Sequence, residues 1–156
     1  QNERVVISEC IAQAQTLISL DKKNADMTLE INCEDQAVIL GDSQRLLQVL
    51  INLISNARDA SPSGSTIVLS AKLANSSVRI SVADPGVGIP NAIKSRVFDP
   101  FFTTKEAGEG TGLGLSLVFS IVEDLGGNID IISPVDRGRG TGTQVLLTFP
   151  CYDETQ

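Results

Sequence analysis

The chain is expected to fold as a two-layer α/β sandwich, with a mixed, mostly antiparallel sheet covered on one face by about three helices. Three observations predict this. Three segments carry apolar residues at helical spacing, and six shorter ones have the alternation or β-branched content of strands. The two kinds of segment interleave along the chain and do not form separate blocks. With 156 residues, 42% of them hydrophobic and 20% charged, the chain suits one core, so residues 1–156 are read as a single domain.

The first helix is expected over 5–20, where Val6, Cys10, Ile11, Ala14, Leu17 and Ile18 recur at helical spacing before the polar run from Asp21. Strand-like stretches follow at 27–33 and 37–40, close enough for a hairpin. Gly41, Asp42 and Ser43 supply a turn and a cap. Leu46, Val49, Leu50, Leu53, Ala57 and Ala60 then hold one helical face until Ser61 and Pro62 stop it. This is the strongest helix signal in the chain. The stretches 66–73 and 78–83, joined by Ala74, Asn75, Ser76 and Ser77, read as a hairpin.

From Asp84 to Gly114 the pattern breaks into Gly, Pro, Thr and Phe, with room for one helical turn near 93–97. Long irregular stretches inside compact domains are usually functional. Leu115, Val118, Val122 and Leu125 mark a third helix that Gly126 and Gly127 close, and strands are expected at 128–133 and 143–149.

Composition excludes several classes. Twelve Lys and Arg against nineteen Asp and Glu leave a net charge of −7, which argues against binding nucleic acid by neutralising its phosphates. Cys10, Cys33 and Cys151 form no C-x-x-C pair, so neither a disulfide framework nor a zinc site is indicated. No apolar run approaches the roughly 20 residues of a membrane helix. The chain reads as soluble and cytoplasmic, with no membrane contact of its own.

Four segments carry candidate chemistry. On the 43–60 helix, Asn52, Asn56 and Asp59 stack in one row at i, i+4 and i+7, extended by Arg45 and Gln48. An amide oxygen suits Mg²⁺ beside a triphosphate, though taken alone such a row more often reads as a solvated face. Asp84-Pro85-Gly86-Val87-Gly88-Ile89-Pro90 follows a strand. Its carboxylate could accept the exocyclic amine of adenine while Gly86 and Gly88 let the base approach, or the segment is an ordinary turn.

Gly108, Gly110, Gly112 and Gly114 alternate into the third helix, where free N–H groups would favour phosphate; a flexible linker is the alternative. The pattern is not a Walker motif, and no Gly-Lys pair occurs. Between these, Val97 to Lys105 holds three of the five Phe, as in a lid that carries Lys105 toward phosphate or a hydrophobic cluster under a loop.

Together and in this order, these segments resemble the superfamily shared by DNA gyrase, the large heat-shock chaperone, sensor histidine kinases and mismatch-repair ATPases. QVLINLISNARDA from Gln48 is similar to the family's N box, and DPGVGIP from Asp84 to its first glycine box. VFDPFFTTK from Val97 resembles the F box, GEGTGLGLSLV from Gly108 the second glycine box, and Gly142-Thr143 a small closing motif. The resemblance implies a Bergerat-type fold that binds ATP and Mg²⁺. It places Asn56 on the metal, and Asn52, Asn56 and Lys105 in the catalytic apparatus. Asp84 falls on adenine N6. The nucleotide site further takes in Asp59, Gly86, Gly88, Ile89, Phe102, Thr103, Thr104, Gly110, Thr111, Gly112, Leu113, Gly114, Leu115 and Thr143.

The F box favours the histidine-kinase branch, and Asp59 with the TTK ending resembles the subset related to nitrogen-regulation sensor kinases. Where hydrolytic branches carry a Glu four residues before the metal-binding Asn, this chain has Asn52. A neutral imidazole already presents a lone pair, so its attack on a γ-phosphate needs no strong base.

The chain has no histidine, so the phosphoacceptor is expected on a helical hairpin ahead of residue 1 or on another chain. The resemblance therefore implies phosphoryl transfer from Mg-ATP to a histidine of a separate dimerisation domain, with a response regulator downstream. The parent is expected to be a homodimer that could be anchored in the inner membrane, and this piece alone monomeric. A free-standing ATPase, and a degenerate nucleotide-sensing or protein-binding module, are the alternatives.

Overall fold

The computed structural model describes residues 3–22, 25–34, 36–86, 114–132 and 141–152. The chain opens with β1 (Glu3–Val6) and α1 (Ile7–Ser19), followed by β2 (Thr28–Cys33), β3 (Val38–Gly41) and α2 (Ser43–Ala60). Next come the hairpin strands β4 (Thr66–Ala74) and β5 (Ser77–Asp84), then α3 (Gly114–Asp124), β6 (Asn128–Ile132) and β7 (Thr143–Pro150). The main sheet has five strands in the order β2-β4-β5-β7-β6, with only β2 and β4 parallel. The expected sandwich, mixed and mostly antiparallel, is the observed architecture.

Alternation along the strands sets the layers. Ile67, Leu69 and Ala71 of β4, Val78, Ile80 and Val82 of β5, and Val145, Leu147 and Phe149 of β7 are buried on one face. Lys72 and Arg79, partners in the β4–β5 register, stand exposed on the other. The three described helices bring Ile11, Leu50, Ile54 and Val118 to the buried face, giving one continuous core.

Two sequence expectations are corrected. The first helix begins at Ile7 and not at Val5, because Val5 and Val6 pair with Ile39 and Val38 in a separate two-stranded antiparallel sheet. Stiff β-branched side chains suit that pairing, which overrides the helical period. Leu17, at the edge of the α1 stripe, is 46% exposed. The stretches at 27–33 and 37–40 form no hairpin: β2 joins the main sheet beside β4, and β3 joins β1.

Helix α2 is fixed at both ends. The Asp42 carboxylate accepts from the N–H groups of Gln44 at 3.0 Å and Arg45 at 3.2 Å, while Glu3 Oε1 accepts from Ser43 N–H at 2.9 Å. Three orphan donors of the first turn are thereby satisfied. At the far end the Ser61 hydroxyl donates to Ala57 O at 2.7 Å, ahead of Pro62.

Helix α3 ends as its glycines suggest. Gly126 has φ +79°, and the amides of Gly126 and Gly127 donate to Glu123 O and Val122 O, a Schellman arrangement. In the β4–β5 turn, Asn75 takes φ +58°, a conformation its short polar side chain tolerates. The chain after β7 stitches the two sheets together, Cys151 N–H donating to Ser76 O and Tyr152 N–H to Val38 O, each at 2.8 Å.

Candidate functional site

The apolar stripe of α2 leaves Arg45, Asn52, Asn56 and Asp59 along one flank of the helix. Arg45 heads this row and donates to Asp124, at the end of α3, at 3.0 Å. Because α2 and α3 pack side by side, this contact makes them antiparallel. At about 1.5 Å per residue, Asn56 lies roughly 16 Å along α2 from Arg45, and Gly114 roughly 15 Å back along α3 from Asp124. The second half of the row therefore lies level with the N-terminus of α3.

Asn52 and Asn56 are half-buried, and neither amide has a hydrogen-bond partner among the described residues. Both are free to meet something else. Asp59 differs: its Oδ1 accepts from Nε of Arg58 at 3.0 Å and from Nη2 at 2.9 Å. The two side chains keep 21% and 30% of their surface exposed.

Asp84 ends β5 opposite Thr143, the first residue of β7, in the strand register. Its Oδ1 accepts from the Gly86 amide at 2.8 Å, while Gly86 O accepts from the Gly142 amide at the same distance. Burial pushes the Asp84 carboxyl above its ordinary range, and the Gly86 hydrogen bond opposes that rise. Thr143 is itself buried, at 7% exposure.

Gly86 also meets α2. A Cβ built there would stand 2.2 Å from Ala60 O and 2.8 Å from Asp84 Oδ1, so no side chain fits without moving backbone. This contact brings the end of β5 against the end of α2. Three elements thus converge with α3: the second half of α2, the end of β5 and the start of β7.

Gly114 opens α3 and Leu115 follows it, half-buried against the core. Gly88, Ile89, Phe102, Thr103, Thr104, Lys105, Gly110, Thr111, Gly112 and Leu113 lie outside the described residues. Two parts of the arrangement carried no readable sequence signal. The Ala60 carbonyl acts through backbone, and the Arg45–Asp124 pair joins residues 79 apart.

Among the described residues no three or more His, Cys, Asp or Glu side chains group as a metal site, and no helix is long and apolar enough to cross a membrane.

Residues 41–153 match the family described as histidine kinase-, DNA gyrase B- and HSP90-like ATPases. The chain belongs to this family. The sensor histidine kinase ZraS of Escherichia coli K12 is 37% identical over 149 residues, which cover 95% of this chain and 31% of ZraS. A mycobacterial sensor histidine kinase, MprB, superposes with a TM-score of 0.85 at 25% identity, covering 97% of this chain and 98% of that one. Histidine kinase ThkA, solved in complex with the response regulator protein TrrA, superposes with a TM-score of 0.78 at 27% identity over 99% of this chain and 43% of that one. The fold is that of histidine kinase catalytic domains. The chain spans less than a third of the length of the curated relatives it matches.

Proposed function

We propose that this domain is the donor half of a protein-histidine kinase, binding Mg-ATP and presenting its γ-phosphoryl to a histidine on a separate dimerisation domain. The observation that carries this reading is the pair of unpartnered amides, Asn52 and Asn56, aligned toward the start of α3. Asp84 accepts the exocyclic amine of adenine, and Asn56 supplies one oxygen to the metal. The donor set fits Mg²⁺, which takes one or two protein oxygens and completes its shell with water and phosphate. When bound, it offsets negative charge on the phosphate oxygens.

Asn52 positions without deprotonating, as suits an imidazole nucleophile. Lys105, Phe102, Thr103, Thr104 and the glycines before α3 are assigned to the nucleotide site on the resemblance alone. The acceptor must come from outside, because this chain has no histidine. A response regulator is then the downstream partner, as the ThkA–TrrA complex exemplifies for a relative.

The test is titration calorimetry of Mg-ATP binding with and without a chelator, on wild type and Asn56→Ala. Binding should depend on Mg²⁺ in wild type and be severely weakened in the variant. Equal affinity in both proteins, with or without the metal, would refute the reading.

A further inference from the structure

By its place in the sequence, Gly86 has one task, clearing space for a base. The structure shows two constraints on the same residue. Its amide occupies Asp84 Oδ1 at 2.8 Å, and its missing side chain lets the turn sit against the last carbonyl of α2. Gly86 O is held in turn by the Gly142 amide at 2.8 Å, so the residue is fixed from β7 as well.

A carboxylate has two oxygens, each able to accept. With Oδ1 engaged by Gly86, only Oδ2 lacks a partner among the described residues. We propose that Gly86 is a positioning residue: wedged against Ala60, it turns Asp84 so that one oxygen alone faces the base, and so sets the preference for a 6-amino purine. This rests on the reading that Asp84 contacts adenine.

The chemistry of preference follows from the free oxygen. A fixed carboxylate oxygen accepts from a 6-amino group and repels a 6-oxo group, so discrimination depends on how rigidly the oxygen is aimed. A Cβ at residue 86 must displace both Ala60 O and the Asp84 carboxylate, or shift residue 86 itself, because both lie inside contact distance. The aim is then lost whichever one moves.

The experiment compares ATP with inosine triphosphate, its 6-oxo counterpart, by calorimetry on wild type, Gly86→Ala and Asp84→Ala. Wild type should prefer ATP. Gly86→Ala should bind ATP at least tenfold more weakly while losing little affinity for the 6-oxo analogue, so that the preference collapses. An unchanged preference in Gly86→Ala, even with both affinities lowered, would mean a structural role only and overturn the proposal while leaving the adenine contact intact. An unchanged preference in Asp84→Ala would defeat the adenine contact itself, and this proposal with it. Should Gly86→Ala fail to fold, hydrogen exchange decides. The Gly86 amide should be protected in wild type and exchange at least tenfold faster in Asp84→Ala, whereas equal exchange in the two proteins overturns the hydrogen bond on which the aim depends.

Discussion

Replacing Asp84 by Asn tests the site at its most constrained atom. The Gly86 amide must find an acceptor, and it now takes Asp84 Oδ1 at 2.8 Å. Asn offers one acceptor oxygen and one NH₂ donor. On the proposed adenine contact, if that oxygen serves Gly86, the NH₂ faces the adenine amine, donor against donor; if the amide flips, Gly86 loses its acceptor instead. Either way one donor is left unsatisfied in a largely buried place, which costs about 1–3 kcal/mol. ATP should then bind roughly 5- to 150-fold more weakly.

The pH profile gives a second readout. Burial raises the Asp84 carboxyl in the folded protein, so on acidification it takes up a proton at a higher pH than an ordinary Asp. Protonated, it presents a donor to the adenine amine, so wild-type affinity should fall through that raised value while the Asn variant stays flat. The difference between the two profiles removes the titration of ATP itself. Stability should move the opposite way. Between the ordinary Asp value and the raised one the folded state holds more proton than the unfolded chain, so rising pH costs wild-type stability across that window. Above the window Asp84→Asn should melt at the higher temperature. Calorimetry and melting curves from acid to neutral pH check all of this. Binding by the variant within twofold of wild type, or identical acid limbs, would refute the reasoning.

Other expectations concern the scaffold. Phe149→Ala should lose about 3–5 kcal/mol in denaturant unfolding, because the ring is buried and packs against Gly127, whose built Cβ would lie 2.6 Å from it. Asp42→Ala removes the acceptor for two amides at the start of α2 and should cost about 0.5–2 kcal/mol, with hydrogen exchange rising first at Gln44 and Arg45. Cys10 is buried, with its thiol pushed up to about 11, whereas Cys33 and Cys151 are half-buried. Timed alkylation at neutral pH should therefore label Cys33 and Cys151 well before Cys10, and mass spectrometry reads the order.

Much of the fold was legible because periodicity and caps agreed. Leu46, Val49, Leu50, Leu53 and Ala57 are all buried on α2, between the Asp42 cap and the Pro62 stop that the sequence announces. Where local pattern and tertiary pairing disagreed, pairing prevailed. Val5 and Val6 fit a helical stripe, yet Val38 and Ile39 draw them into a strand, and nothing local to 3–6 reveals a partner more than thirty residues away. The same holds for β2, whose neighbour is β4 and not the nearer β3. At the site, side-chain identities pointed to Asn52, Asn56 and Asp84. The Ala60 carbonyl and the Gly142 amide could not be read, since a backbone group has no residue-type signature.

On the proposed reading, helix α2 is what brings Asn52, Asn56 and Asp84 into one site. Its first turn is tied to β1 through Glu3 and to the end of α3 through Arg45, and its last carbonyl seats Gly86. A helix of 18 residues thus separates the Gly86 turn from the end of α3. On the proposed reading, the alignment of Asn52 and Asn56 with the start of α3 is what the domain provides, because phosphoryl transfer depends on alignment and charge neutralisation more than on covalent help. A Glu at position 52 would add a base able to activate water close to the same phosphates. Asn52 keeps the hydrogen-bonding shape without that basicity, which favours waiting for an imidazole over spending ATP on solvent.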